Sequence, residues 1–263
     1  MKKLFNMKLV RKFTVVALFI FSAPAFSLNQ ETSHFEKALL GPEQIKEAIA
    51  YQKEADKNQD VQPGEGEKWF DVILGQEPII ISAPHATQPF RDGKYRFSDG
   101  GGTAALAIML GKLTNSTVIF TTKASPSDPN YYDDNDYKVQ LAELIKTQKP
   151  KLIIDIHGSH PFRPYDVDIG TMNGESLLGK DELLTKLIAS LRNEGISNYS
   201  NNYFAASKNE TITKFGAAHG VPTIQLEFSS VWMVPSDGNY ESHRFAQLLQ
   251  GMVRYVNSVN NAP

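Results

Sequence analysis

The sequence contains no cysteine. Disulfide frameworks, thiolate zinc sites, iron–sulfur clusters and cysteine nucleophiles are therefore excluded, and any metal ion must be held by His, Asp, Glu, backbone oxygen or water. A basic tract for nucleic acid is also missing, so no nucleic-acid partner is expected. Hydrophobic residues at 41% and charged residues at 21% are ordinary proportions for a globular chain.

Long apolar runs are absent, apart from a short one near the amino terminus. A basic opening that ends at Lys12 precedes apolar residues 13–21, and Ala25-Phe26-Ser27 forms a small-residue cleavage site. This layout predicts a secretory signal peptide over residues 1–27. A membrane anchor is the alternative, but the run is too short to span about 30 Å of hydrocarbon as a helix. We expect a periplasmic or secreted protein without a membrane span after cleavage.

Removal of this segment makes the chain acidic. Its five basic residues are lost with no acidic residue, which leaves 22 Lys and Arg against 29 Asp and Glu, a formal charge of −7. Residues 28–66 are polar and predict an N-terminal lead-in with one helix over 42–57. Residues 67–263 contain no internal repeat and are long enough to form one catalytic domain.

Strands and helices alternate after residue 67. The patterns predict strands at 69–74, 78–82, 116–121, 151–156, 166–171 and 221–228, and helices at 103–113, 136–147, 181–193, 210–219 and 242–256. The first two strands flank Gly75 and are predicted to form a hairpin. Alternation of this kind indicates a three-layer α/β/α fold with a mixed, largely parallel sheet.

Polar residues follow or interrupt three of the apolar strands. His85 follows the predicted strand at 78–82, His157 directly follows the strand at 151–156, and Glu227 lies within the strand at 221–228. Ligands bind at the carboxyl edge of parallel strands in open α/β sheets. A single histidine at such a place is more often structural, but three such positions together predict a functional site.

The pair Asp155 and His157 has a spacing that suits metal binding. Side chains two residues apart point to the same side of a strand, so Asp155 can accept the N–H of one ring nitrogen of His157. The other nitrogen is then presented to a metal ion. Asp155 is therefore predicted to support His157 from outside the ligand set.

Asp99 is the candidate for an acidic ligand. It precedes three glycines and Thr103, which is predicted to be the N-cap of the following helix. A phosphate-binding loop is excluded, because the GxxxxGK[ST] pattern is absent and the carboxylate would repel phosphate. Two histidines and one carboxylate with an open position form the ligand set of catalytic zinc.

Glu227 is the candidate general base. A carboxylate inside an apolar strand costs several kcal/mol in lost hydration unless it has a partner or a task. The structural alternative is an ion pair with Lys or Arg. The functional interpretation is a base that deprotonates the attacking water and returns the proton to the leaving amine.

Five short motifs in a fixed order resemble the N-formylglutamate amidohydrolase family, which shares an α/β/α superfamily with zinc carboxypeptidases and aspartoacylase-type deacylases. They span about residues 67–230 and are Ala83-Pro84-His85, Asp99 with Thr103, Asp155-Ile156-His157-Gly158, Asp168-Ile169-Gly170-Thr171 and Gln225-Leu226-Glu227. The resemblance implies one Zn²⁺ per chain, with His85 and His157 as ligands and Glu227 as the catalytic glutamate. Carboxypeptidases place their acidic ligand three residues after the first histidine, where this chain has Gln88.

The resemblance also implies a small-molecule or short-peptide substrate that carries a carboxylate. Arg91 is the predicted carboxylate-binding residue, because arginine offers a two-pronged donor to a carboxylate. Arg163 competes for that role, and Thr211 resembles part of the family's substrate side. Residues 128–136 are acidic and rich in turn residues; they predict a loop at the rim of the cleft that caps the next helix.

The motifs therefore favour a zinc amidohydrolase for an N-acyl amino acid, a γ-glutamyl compound or a peptidoglycan-derived fragment. A zinc carboxypeptidase is the alternative enzyme. An exported binding or effector protein on a hydrolase scaffold is the alternative of a different class.

Overall fold

Strands that are apolar on both faces form the centre of a mixed seven-stranded sheet. The computed structural model describes residues 37–261. The predicted signal peptide and residues 28–36 of the lead-in lie outside the described residues, so cleavage and export stay predictions. Within residues 37–261, none of the helices has both the length and the apolar character needed to cross a membrane.

Nine strands and six α-helices occur in this part of the chain. The strands are β1 (Phe70–Ile73), β2 (Glu77–Ala83), β3 (Phe90–Arg91), β4 (Lys94–Tyr95), β5 (Ser116–Thr121), β6 (Leu152–Ser159), β7 (Val167–Gly170), β8 (Tyr199–Asn201) and β9 (Thr223–Ser229). The helices are α1 (Pro42–Asn58), α2 (Gly101–Thr114), α3 (Asp136–Gln148), α4 (Glu182–Asn193), α5 (Ile212–Ala218) and α6 (Asn239–Asn260). Short 3₁₀ segments cover Met172–Leu177 and Ser230–Trp232. Every helix predicted from the sequence within the described residues is present.

The sheet has the strand order β1-β5-β2-β6-β9-β7-β8. Strands β5, β2, β6 and β9 run parallel to one another, whereas β1 is antiparallel to β5 and β7 is antiparallel to β9. The predicted mixed, largely parallel sheet is therefore confirmed. The central strands β2, β6 and β9 bring their carboxyl ends to one edge, and this edge carries the candidate site.

The prediction that β1 and β2 form a hairpin is wrong. Strand β5 lies between them and pairs with both. The connection crosses the start of β5, where the N–H groups of Gln76 and Glu77 donate to the carbonyl of Asn115. Gly75 makes this crossing possible, because a Cβ there would lie 2.3 Å from the Asn115 carbonyl oxygen. Strand β2 is apolar on both faces and therefore takes an interior place, whereas β1 is partly exposed at the edge.

Helices cover both faces of the sheet. On one face Ile79, Ile81 and Ile154 pack with α1, α2, α4 and α6, and on the other Ile80 and Ile153 pack with α3 and α5. This alternation within single strands follows from the two-residue period of a β-strand. It gives the α/β/α layers expected from the sequence, and from Ala38 onward the described residues form one compact unit.

Helix α2 begins two residues earlier than expected. Its N-cap is Gly100, so the prediction that Thr103 is the cap is wrong. The hydroxyl of Thr103 donates instead to the carbonyl of Gly100 at 2.7 Å. The N–H of Gly101 is accepted by the carboxylate of Asp56 in α1 at 2.8 Å. A contact with another helix therefore replaces the local cap.

The sequence patterns missed three short strands. Residues of β3 and β4 form a small hairpin around Asp92 and Gly93, both with positive φ. An Asp-Gly pair is a known signal for such a turn, but strands of two residues have no periodicity to detect. Strand β8 adds three residues at the sheet edge beside β7.

Candidate metal centre

Three neighbouring strands bring the predicted site residues together. His85 follows β2, His157 lies in β6, and Glu227 lies in β9, which are consecutive in the sheet. His157 and Glu227 are directly paired in the register of β6 and β9. Residues predicted from three separate strand ends therefore share one edge of the sheet.

Asp99 reaches this edge from the loop before α2. Its backbone N–H donates to the carbonyl of His85 at 2.8 Å. The loop also lies against the end of β6, because Gly158 has no side chain: a Cβ there would be 2.6 Å from the Asp99 carbonyl oxygen. The glycine directly after His157 thus permits the approach of Asp99.

Two imidazole nitrogens and one carboxylate oxygen converge. Nδ1 of His157 lies 2.8 Å from Oδ2 of Asp99, and Nδ1 of His85 lies 3.6 Å from the same oxygen. The three ligand atoms lie within 4.8 Å of one another. Neutral imidazole and carboxylate groups are the donors that zinc takes at catalytic sites, and three protein ligands leave a position open. The residues therefore fit the predicted zinc ion.

Each histidine is held at its second nitrogen by a buried carboxylate. Nε2 of His157 is 3.1 Å from Oδ2 of Asp155, and Nε2 of His85 is 2.7 Å from Oδ1 of Asp128. Such bonds orient the ring so that the first nitrogen faces a metal ion. Because Asp155 sits at Nε2 of His157, it lies away from the converging Nδ1 atoms, in the supporting position expected from the sequence.

The sequence interpretation missed the role of Asp128. Its side chain is fully buried beneath His85, although residues 128–136 were expected to form a loop at the rim of the cleft. The expected helix cap is confirmed, since the side chain of Asn135 accepts the N–H of Lys138. The one available signal was that Asp128 follows β5, a neighbour of β2, and so belongs to the same sheet edge.

The carboxylates determine the charge of the two rings. Burial disfavours the charged form of His85, but Asp128 and Asp99 outweigh it and raise the pKa of the ring to about 9. For His157, burial acts in the same way, and Asp155 and Asp99 raise the pKa well above its ordinary value. Burial would raise the pKa of Asp99, but its hydrogen bonds to the two rings lower it. Metal binding must therefore displace protons from the rings.

Glu227 faces the same site, where both imidazole rings and Asp99 act on its pKa. Burial, with a further contribution from Asp99, raises its pKa to about 7, although His157 acts in the opposite direction. No Lys or Arg among residues 37–261 forms an ion pair with it, so the predicted structural alternative has no support there. A carboxyl group with a pKa near neutrality suits both uptake and release of a proton at neutral pH.

A cavity of about 570 Å³ opens over these groups and contains the three predicted ligands and Glu227 in its wall. Arg91 also lines it; its guanidinium lies 3.3 Å from Oδ2 of Asp128 and stacks on the Tyr131 ring. Lys208, which the sequence interpretation did not single out, also lines the cavity and has no ion-pair partner within the described residues.

The other two predicted substrate residues differ in position. Arg163 is not among the residues that line the cavity; it donates to the Tyr203 hydroxyl at 2.9 Å and stacks on the rings of Tyr203 and Phe204. Thr211 lines the cavity, but its hydroxyl caps α5 by accepting the N–H of Lys214. The same hydroxyl donates to the carbonyl of Ala206. Thr211 thus shapes the wall through its backbone and cap.

Asp168, part of one of the family-like motifs, also shapes the wall. Its buried carboxylate accepts the backbone N–H groups of Tyr203 and Phe204 at 3.0 and 2.7 Å. Ser200 donates to it as well. These bonds hold residues 202–206, which form one side of the cavity.

One similarity to a solved structure supports the fold. No family model and no curated protein sequence matches this chain. Among solved structures, an N-formylglutamate amidohydrolase from Ralstonia eutropha JMP134 matches 73% of this chain and 98% of its own at a TM-score of 0.54 and 15% identity. A bacteriophage poly-gamma-glutamate hydrolase matches 74% of this chain and 92% of its own, with a TM-score of 0.48 and 15% identity. An Acidobacteriales bacterium glutaminyl cyclase matches 82% and 93%, with a TM-score of 0.49 and 15% identity.

The first of these similarities confirms the fold class. This chain has the α/β fold of an N-formylglutamate amidohydrolase, as the order of its motifs led us to expect. At this level of identity the similarity concerns the fold, and function must be argued from the site.

Proposed function

We propose that this protein is a zinc-dependent amidohydrolase that cleaves an amide bond of a small, carboxylate-bearing substrate. One observation carries the proposal: the Nδ1 atoms of His85 and His157 converge on Asp99 in a cavity that also contains Glu227. Structural histidines have no need for this convergence, whereas a three-ligand catalytic metal site requires it. The resemblance of the motifs to an amidohydrolase family supports the same class of reaction.

The ligand residues and Glu227 have separate tasks in this proposal. Zinc held by His85, Asp99 and His157 supplies the Lewis acidity that makes water nucleophilic near neutral pH. Glu227 takes the proton from the attacking water and passes it to the nitrogen of the leaving amine as the C–N bond breaks. Its raised pKa near 7 suits both transfers, because the same group must be base first and acid second.

The substrate carboxylate is assigned to the cationic part of the wall. Arg91 remains the leading candidate, since it lines the cavity and its side chain is held by Asp128 and Tyr131. Lys208 is a second cation in the wall, and no carboxylate within residues 37–261 pairs with it. An N-acyl amino acid, a γ-glutamyl compound or a peptidoglycan-derived fragment carries the anionic group that these residues would bind. Export by the predicted signal peptide is part of the proposal and would place the reaction outside the cytoplasm.

The test combines metal analysis with a substrate panel. The chain from residue 28 onward is purified, its zinc content is measured, and turnover is assayed on N-acyl amino acids, γ-glutamyl dipeptides, peptidoglycan-derived peptides and unmodified peptides. We expect bound zinc and release of an amino acid or amine from one of the first three groups. Release of single C-terminal residues from unmodified peptides alone would indicate the carboxypeptidase. A protein with neither zinc nor turnover would leave the exported binding or effector protein as the better description.

A further inference from the structure

Gln225 is the residue that holds the carboxyl group of Glu227. The two lie two residues apart on β9 and therefore on the same face of the strand. The side-chain amide Nε2 of Gln225 donates to Oε1 of Glu227 at 3.1 Å. Both residues line the cavity, and Gln225 is only 3% exposed. Among residues 37–261, no other hydrogen-bond donor to the Glu227 side chain is found.

The other half of the same amide is unsatisfied. Oε1 of Gln225 is buried and has no hydrogen-bond partner within the part of the chain that the structure describes. Burial of a lone amide oxygen costs stability, so packing in the sheet alone gives no reason for an amide at this position. The fold therefore gains nothing from this oxygen, and within residues 37–261 the hydrogen bond to Glu227 is the only one that the Gln225 side chain makes.

We propose that Gln225 is a positioning residue for the general base. Its N–H holds Oε1 of Glu227 and leaves Oε2 free to exchange the proton with the attacking water and the leaving amine. Without it, no hydrogen-bond donor within residues 37–261 would hold the buried carboxyl in one orientation. This inference rests on the proposed amidohydrolase function, and it assigns a task to a side chain that neither binds metal nor touches the reacting atoms.

The central test is Gln225→Met in the zinc-loaded mature protein. Methionine has nearly the same length but no donor. Since a hydrogen bond to a charged group is lost, kcat should fall roughly ten- to a hundredfold, with KM and zinc content little changed. The melting temperature should change little, because the unpaired oxygen of Gln225 disappears while Oε1 of Glu227 loses its donor. A lower melting temperature with unchanged kcat would make Gln225 a structural residue and overturn the inference.

Thr223→Val is the matched control. Thr223 is also buried, lies on the same face of β9 and donates to the carbonyl of Val221 at 3.0 Å, but it does not line the cavity. Its loss should lower the melting temperature and leave kcat unchanged. The opposite pattern in the two variants separates catalytic positioning from the general loss of a buried hydrogen bond.

A double-mutant cycle tests whether Gln225 acts through Glu227. In a Glu227→Gln background, Gln225→Met should cause little further loss of kcat, because the group that it positions is no longer a base. Losses that multiply would show an independent role and overturn the inference.

A crystal structure of the Gln225→Met variant tests the position of the Glu227 carboxyl without an activity assay. Displacement or multiple positions of the Glu227 carboxyl are expected, and an unchanged, well-ordered carboxyl would overturn the positioning role. If the wild type has no activity but the carboxyl moves in the variant, the amidohydrolase proposal fails while the positioning contact stands.

Discussion

The two histidines present the same nitrogen to Asp99, but their supports are built differently. His157 and Asp155 lie two residues apart in β6 and need only the alternation of a strand. His85 and Asp128 are 43 residues apart and meet only after β5 has taken its place beside β2. Equivalent chemistry is thus assembled once from a local pattern and once from the tertiary fold.

The carboxylates also differ in what surrounds them. Asp155 is inside the sheet and accepts a hydrogen bond from Ser82 on the neighbouring strand at 3.1 Å. Asp128 lies in a loop, where it contacts Arg91 and accepts the N–H of Asn130 at 2.9 Å. The support of His157 is therefore tied to the core, and the support of His85 is tied to the cavity wall.

The largest effect is the loss of zinc binding expected when His85 or His157 is replaced. His85→Ala and His157→Ala should each abolish binding of about one zinc ion per chain, since two ligands hold a metal ion much less tightly than three. Metal analysis after dialysis measures this. His219→Ala is the control, because the ring of His219 is exposed at the end of α5, where Nδ1 contacts the carbonyl of Phe215. Variants of His85 and His157 that stay fully loaded with zinc would end the metal proposal.

Asp99→Ala tests the group on which both rings converge. Loss of this ligand should reduce zinc affinity by more than about a hundredfold, beyond the usual effect of a supporting residue. Competition with a chelator gives the affinity. Retention of wild-type affinity would mean that the acidic ligand comes from another residue.

Glu227 is the direct neighbour of His157 in the sheet, because the two residues are paired across β6 and β9. Glu227→Gln should keep zinc and fold normally, while kcat falls by roughly a hundredfold or more with KM little changed. Zinc content, melting temperature and kcat of this one variant separate three roles. Near-normal kcat with lower stability would make Glu227 structural, and lost zinc would make it a ligand.

The variants Asp155→Asn and Asp128→Asn compare the two supporting carboxylates directly. Each should weaken zinc binding by roughly ten- to a hundredfold, the usual effect of losing a carboxylate behind a metal-binding histidine. Asp155→Asn should lower the melting temperature more, because its neighbours lie in the core. Thermal unfolding and chelator competition measure the two effects. Equal losses of stability in the two variants would contradict the view that Asp155 is anchored in the core and Asp128 in the cavity wall.

The smallest effect is expected on KM, when Arg91 or Lys208 in the cavity wall is replaced. Arg91→Met should raise KM roughly tenfold with kcat little changed, since a charge-assisted contact to the substrate is lost. Lys208→Met should raise KM only a few-fold at most, because Lys208 is exposed and its charge is screened by water. Steady-state kinetics on the best substrate of the panel measure both. A larger increase of KM in the Lys208 variant would assign the substrate carboxylate to Lys208 instead of Arg91.

Local patterns were sufficient for much of the fold. Apolar runs located β2, β6 and β9, and helical periodicity located α3 and α4 within a residue or two. The same patterns failed where two segments distant in sequence compete for one place. The proposed hairpin at Gly75 failed because β5 inserts between β1 and β2, and the Thr103 cap failed because Asp56 takes its place.

The sequence by itself determined the fold class, the three strand ends that carry His85, His157 and Glu227, and the pairing of His157 with Asp155. All of these depend on periodicity or on spacing within one strand. Only the tertiary structure decided the strand order, the burial of Asp128 behind His85 and the place of Arg91 rather than Arg163 in the cavity wall. These features depend on contacts between segments that are far apart in the chain, and such contacts leave no local pattern in the sequence.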